Sequence, residues 1–303
     1  MIIYSTATVV KLDRELTTAQ LQAFRARQLT EIGLNIAMNP AVKKFDRALL
    51  NQTMPDGDSF HAQIKGEGGR FNINSLLQKK DNDFLSRLFV MWGLSNDDAK
   101  ILVDRMIDWT DAGDEKEIQG LERQDYEDEG YRGYPFNRPF YSLDEMKLVP
   151  GFEVIAKGDW RDYFTVYSAG AVDLNEAEAK VLAAARIGSD TLGDPTSGFE
   201  DYAREAQDWI VQNRWGPDGE EDTEDDTPVQ DAAQALNDLG IAPEAASRFS
   251  TSDATVHIVV TASVGEYRKR MVVVVRNRNA NPQILSREEL PISKDDSAGL
   301  MTK

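Results

Sequence analysis

Apolar and small positions recur at intervals of three and four from about Ser5 to Met38, through Leu12, Leu16, Ala19, Ala23, Ala26, Thr30 and Leu34, and Pro40 stops the run. This predicts one helix roughly 50 Å long, more than a small globular domain needs. It suits either a core helix or a stalk for assembly. The period then changes. "SFHAQIKGEGGRFNIN" alternates on both sides of Gly66, Gly68 and Gly69, which predicts a hairpin closed by a glycine turn. No GK[ST] follows these glycines, so the hairpin is favoured over a phosphate loop.

Helical spacing returns in "SLLQKKDNDFLSRLFVMWGL" and "SNDDAKILVDRMIDWTD", with Gly93 closing the first helix and Ser95 and Asp98 forming a capping pair for the second. A similar pair, Ser142 and Glu145, begins "SLDEMKLVPGF". "DYFTVYSAGAVDLN" reads as two short strands around Gly170, and "EAEAKVLAAARIG" as a helix begun by Asn175 with Glu178. "FNINS" and "VDLNE" form a weak internal repeat in which Asn74 and Asn175 are expected to act as N-caps. Further helices are expected at 199–214 and 229–239, followed by two β-branched strands about Gly265 and a last strand at "QILSRE".

The order is a long helix, strands, a mostly helical stretch, then strands. It predicts an α+β fold in which a helical domain is inserted into a domain closed by the carboxy-terminal strands. The expected boundaries are 1–53 for the amino-terminal helix and the helix after it, and 54–74 for the first strands. The helical insertion takes 75–247, with a short internal strand pair, and the closing strands take 248–290. Residues 291–303, without apolar periodicity, are expected to fray.

Charge changes the picture more than composition does. Across 303 residues, 34 basic stand against 52 acidic, a net of −18, which disfavours nucleic acid and anionic lipid as partners. There is no cysteine, hence no disulfide, thiolate nucleophile or zinc-thiolate site. The two histidines, His61 and His257, lie in strand-like segments and read as structural. No stretch of about 18 apolar residues is present to span a membrane, and the amino end lacks a signal-peptide pattern.

The candidate chemistry lies in "MIDWTDAGDEKEIQGLERQDYEDEGY", residues 106–131. Asp108 and Asp111 share a face at the carboxy end of a helix, where the dipole disfavours negative charge. Gly113 lets the chain turn, so Asp114, Glu115 and Glu117 can fold back, with Glu122 a later ligand. Calcium accepts six to eight oxygens from such a flexible loop, whereas magnesium is stricter. The span from Asp111 to Glu122 has EF-hand length, but Lys116 and Gly113 stand where that loop needs glycine and a ligand. Three readings stay open: a calcium site of Asp108, Asp111, Asp114 and Glu122, a solvated acidic loop, or a hydrolytic carboxylate pair. "DGEEDTEDD" offers a second, weaker cation candidate in Asp218, Asp222 and Asp225.

Several segments, in order, resemble the minor pseudopilin K family of the type II secretion system, also called general secretion pathway protein K. They are "LTEIGLNIA", "GEGGRFNINSLL", "WGLSNDDAKILVDRMIDWTDAGDE", "GLERQDY", "RPFYSLDEMKLVPGF", "YFTVYSAGAVDLNEA" and "VHIVVTASVGEYRKRMVVVVRN". The resemblance implies a pseudopilin fold, a long amino-terminal helix packed on an antiparallel sheet, with a large helical insertion. It implies a non-enzymatic subunit that caps the periplasmic pseudopilus tip with minor pseudopilins I and J in protein export, with exported substrates as further contacts. The face bearing Leu12, Leu16, Ala19, Ala23 and Ala26 is then the one expected to meet those partners. The resemblance also associates calcium with the helical domain. Family members begin with a leader and an apolar helix anchored in the inner membrane; neither pattern is present here, and a truncated soluble form is the expectation. The runner-up resemblance is to half of a helix-hairpin-helix nucleic-acid module in "NINSLL" and "VDLNEAEAKVL", against which the acidic charge weighs.

Overall fold

The computed structural model describes residues 2–291. In chain order it runs α1 (Ile2–Met38), α2 (Arg47–Leu50), β1 (Asn51–Thr53), β2 (Ser59–Gly66), β3 (Phe71–Asn72), α3 (Ile73–Gln78), α4 (Asn82–Met91), α5 (Asn96–Thr110) and α6 (Arg123–Asp128). After three short 3-10 turns come β4 (Phe164–Thr165), β5 (Val172–Asp173), α7 (Ala179–Ser189), α8 (Phe199–Asn213) and α9 (Ala232–Asp238). A fourth such turn leads to β6 (Phe249–Ser250), β7 (Thr255–Val264), β8 (Tyr267–Arg276) and β9 (Gln283–Pro291). The chain divides into two compact units: one joins the residues up to Lys65 with those from Thr255 onward, and the other is Gly66–Ala254.

The first unit is α1 laid on a five-stranded sheet of order β1-β2-β7-β8-β9. The β1–β2, β7–β8 and β8–β9 pairs are antiparallel. Alternation along β2 and β7 buries Phe60, Ala62 and Ile64 with Ile258, Val260, Ala262 and Val264, which meet Ala26, Leu29, Leu34 and Ala37 of α1. Helix and sheet close most tightly at Gly33, where an added Cβ would stand 2.6 Å from Val260 Cγ1 and 2.9 Å from Phe60 Cδ2. The last carbonyls of α1 lack intrahelical partners. The buried Arg278 guanidinium satisfies that end, donating to Ala37 O at 2.6 Å, Asn39 O at 2.7 Å and Val42 O at 2.5 Å. The hairpin about Gly265 forms as expected, with that residue at φ +56.

Gly66–Ala254 has its own core of Phe71, Phe84, Phe89 and Phe164 beside α4, α5 and α7, joined by Trp109, Tyr126 and Phe140. Ser95 caps α5 as expected, its Oγ accepting from the Asp98 N–H at 3.1 Å. Two parallel two-stranded ribbons, β3–β4 and β5–β6, tie the loops of this unit together.

These ribbons correct three local expectations. β2 and β3 do not form a hairpin: β2 joins the five-stranded sheet, and β3 pairs with β4. The intervening glycines serve close approach instead. A Cβ on Gly68 would stand 2.4 Å from Asp253 Cβ, and one on Gly69 2.2 Å from the Glu176 carbonyl oxygen. The strands flanking Gly170 likewise belong to different ribbons. The inserted unit therefore begins before β3 and runs to Ala254, wider than 75–247.

The asparagines of the internal repeat are not the caps of their helices. Asn72 caps α3 through Ser75 N–H, and Glu178 stands at the N-cap of α7. Asn74 instead grips the Phe140 backbone, donating to its carbonyl at 2.9 Å and accepting from its N–H at 2.8 Å. Asn175 grips Val229 in the same way, at 3.3 and 2.7 Å. A carboxamide matches a peptide group in both donor and acceptor, so it can close a loop as a strand partner would. Ser142 starts a 3-10 turn without a side-chain cap, and Glu145 accepts from Arg138 and the Tyr141 N–H. β9 extends the expected last strand to Pro291; the fraying expected at 291–303 otherwise falls outside the described residues.

Candidate functional site

The acidic stretch leaves α5 at Asp111, its C-cap, and returns to α6 just after Glu122. Asp108, on the inner face of the last turn of α5, is fully buried, and Glu122 is 8% exposed. Asp108 Oδ1 accepts from the Glu117 N–H at 3.0 Å, which folds the loop back over the helix end. Its Oδ2 and both carboxylate oxygens of Glu122 are buried with no hydrogen-bond partner. Gly120 makes room for this arrangement, since a Cβ there would fall 1.7 Å from Asp108 Oδ2.

Electrostatics follow from that burial. Loss of solvent, then the Asp111, Glu117 and Asp104 carboxylates, pushes Asp108 up to about 6. Loss of solvent, then Asp108, Asp111 and Asp114, pushes Glu122 up to about 7. Burial likewise raises the Tyr126 hydroxyl, which packs on Trp109 at a ring separation of 5.6 Å. The available cations lie at the rim: Lys116 on Asp125 at 2.9 Å and Lys80 on Glu117 at 3.1 Å.

A divalent cation fits the donor chemistry here, because it would satisfy unpartnered carboxylate oxygens and cancel their mutual repulsion. The geometry places Asp108 and Glu122 at the centre. Asp111 is half-buried, with Oδ1 accepting from the Gly113 N–H at 3.1 Å, and Asp114 is exposed. Among the described residues no three acidic or histidine side chains stand together in a ready metal-holding group, so backbone carbonyls and water would complete any shell. Gly120, Asp104 and Tyr126 are additions that periodicity could not supply; the signal for Gly120 was its place two residues before Glu122.

The second acidic loop is organised by its own hydrogen bonds. Asp225 Oδ2 accepts from the Asp218 N–H at 3.2 Å and its Oδ1 from Thr223 Oγ1 at 2.7 Å, while the Asp222 N–H donates to Asp226 at 3.1 Å. Asp218 and Asp225 are exposed and Asp222 is half-buried, so this loop lacks the orphaned buried oxygens of the first.

On α1 the expected assembly face is narrower than its periodicity. Leu12 and Leu16 are 61% and 58% exposed and Ala19 is exposed, but Ala23 is half-buried and Ala26 is 0% exposed against the sheet. Ala26 therefore belongs to the core, and Leu21 and Phe24, 56% and 60% exposed, extend the free surface instead. Among the described residues no helix is long and apolar enough to cross a membrane.

A long helix on an antiparallel sheet, interrupted in sequence by a helical unit, defines an α+β fold. The resemblance to protein K of the type II secretion system then holds on independent grounds. Residues 69–169 match the family model described as "Type II secretion system (T2SS), protein K". The type II secretion system protein K of Pseudomonas aeruginosa is 29% identical over 143 residues, 43% of this chain and 41% of that relative, so the chain spans well under half of the relative's length. One chain in the crystal structure of the GspK-GspI-GspJ complex from the enterotoxigenic Escherichia coli type 2 secretion system has the same fold. The TM-score is 0.60 at 12% identity, over 92% of this chain and 99% of that one.

Proposed function

We propose that the protein acts as a minor pseudopilin at the tip of a type II secretion pseudopilus, a non-enzymatic subunit that assembles with minor pseudopilins I and J in protein export. It works in the periplasm, at the inner membrane. The observation that carries this reading is α1 itself. Its 37 residues, about 55 Å at the usual rise, leave Leu12, Leu16, Leu21 and Phe24 open to solvent. A helix that buries one side on its own sheet and exposes leucines on the other has a natural use in helix-to-helix assembly.

The test is co-elution with soluble forms of I and J. Leu16→Arg is expected to abolish co-elution while leaving the circular dichroism spectrum unchanged; unaltered co-elution removes this face from the interface. The acidic site supports a structural calcium ion held by Asp108 and Glu122 with Asp111 and Asp114 around it. Chelation is then expected to lower the melting temperature by several degrees, with calcium restoring it better than magnesium. Asp111→Asn combined with Glu122→Gln removes that response, and a melting curve indifferent to chelator and calcium leaves only a solvated acidic loop.

A further inference from the structure

Charge is divided unevenly along the chain. Gly66–Ala254 holds 41 of the 52 acidic residues and 18 of the 34 basic ones, a net of −23, whereas the residues of the helix-and-sheet unit sum to +5. The basic surplus has a definite place. β8 turns Met271, Val273 and Val275 into the core beneath α1. Strand alternation sends Arg268, Arg270, Val272, Val274 and Arg276 to the opposite side of the sheet.

The register places neutral residues directly opposite these arginines. Ser263 stands opposite Arg268, Thr261 opposite Arg270 and Val259 opposite Val272 on β7; Leu290 stands opposite Arg270 on β9. Lys65 adds an exposed ammonium from β2. Glu288, the histidines His61 and His257, and Glu266 in the turn are the other titratable groups of this side.

Elsewhere arginines find acceptors: Arg25, Arg70, Arg138, Arg161, Arg186, Arg248 and Arg287 all close ion pairs. Among the described residues Arg268, Arg270 and Lys65 close none, and Arg270 Nε is buried with no hydrogen-bond partner. Two arginines on one strand face, with Cα atoms about 7 Å apart, repel each other, and each presents a fork that matches a carboxylate. A chain with 52 acidic residues that leaves this pair unmatched keeps it available for an external acceptor.

We infer that this side of the sheet docks a different protein subunit through clustered Asp and Glu side chains, seated on Arg268 and Arg270 beside the Val259–Val272 pair. Strands of 3, 8, 10, 10 and 9 residues, at about 3.3 Å per residue and about 4.8 Å apart, give roughly 600 Å², somewhat below the ~800 Å² per partner of a specific interface. The valine centre favours protein over a phosphate backbone, which has no apolar surface to match it. The net charge of −18 also repels an extended polyanion, while a short carboxylate patch can still be met within a Debye length. The inference stands apart from the helix face and from the acidic site.

The full chain, labelled with ¹⁵N in its arginine side chains, is titrated with hexaglutamate as the probe and hexaserine as control, first at low salt and then at about 0.15 M. Saturable shifts of the Arg268 and Arg270 Nε signals are expected, weakening with salt, and the affinity for a fluorescently labelled hexaglutamate, read in parallel by anisotropy, is expected to fall at least about tenfold in Arg268→Gln/Arg270→Gln. An unchanged melting curve in that double variant shows the fold intact, and Arg268→Lys/Arg270→Lys is expected to retain part of the binding. Shifts confined to other arginines, or a titration that the double variant leaves unaltered, overturn the inference. A tighter response to a DNA oligonucleotide or to anionic vesicles overturns the protein assignment. Self-association in sedimentation that the double variant removes overturns the choice of a different subunit in favour of a second copy.

Discussion

Asp108 shows how much of a site is settled by groups that carry no charge. Its unpartnered Oδ2 exists in that position because residue 120 has no side chain. Gly120→Ala is expected to displace the carboxylate and erase the calcium response in melting experiments, although residue 120 supplies no side-chain ligand itself. Asp173 provides a separate test of burial. It is 4% exposed, and loss of solvent, with Glu176 and Asp253 nearby, pushes it up to about 6 from an ordinary 3.8. The folded state then holds a proton that the unfolded state releases, so stability is present below about 4 and is lost as pH rises through about 6. Asp173→Asn keeps an acceptor for the Asn175 N–H and is expected to flatten this part of the stability-against-pH curve, by on the order of 3 kcal/mol. An unaltered curve would place the titration elsewhere.

At the scale of elements, α1 is held by three different devices, and substitutions separate them. Gly33 lets the helix touch β2 and β7, so Gly33→Ala overpacks the contact and is expected to cost about 1–3 kcal/mol in denaturant unfolding. Arg278 satisfies carbonyls at the helix end with several donors in a fixed plane. Arg278→Lys supplies fewer and is expected to recover little of the stability that Arg278→Ala loses, a loss of about 2–4 kcal/mol. Ala26 and Leu16 share a helical period but not an environment. Ala26→Arg is expected to unfold the helix-and-sheet unit, whereas Leu16→Arg is expected to spare the fold and abolish assembly.

At the scale of the molecule, two cores and two charge balances make two responses. Gly66–Ala254 carries −23 and most of the crowded carboxylates, so added salt and, on the proposed site, calcium are expected to act chiefly there by relieving self-repulsion. Calorimetry is expected to show a transition that rises with calcium and another, from the helix-and-sheet unit, that does not. A single transition shifted as a whole would mean that the cores melt together.

What the sequence determined by itself was local. Periodicity found α1, α5 and α8, the Ser95 cap and the strand pair about Gly265, because each depends on neighbours within a turn or across a tight loop; it read α3 and α4 as one helix, which the chain breaks at 79–81 with Lys80 at φ +52. The order of motifs carried the family resemblance and the α+β class. Tertiary structure decided the rest. β2 and β3 look like a hairpin, yet they separate because β2 finds β7 and β3 finds β4, partners remote in sequence that no alternation names. Asn74 and Asn175 look like caps, but their amides hold Phe140 and Val229, and that choice exists only once the loops have met. Period marks a face, but the width of the sheet packed against it decides that Ala26 is covered while Leu16 stays open. Acidic spacing marks a candidate site in the same way, and only the fold-back of the loop onto α5 removes solvent from Asp108 and Glu122.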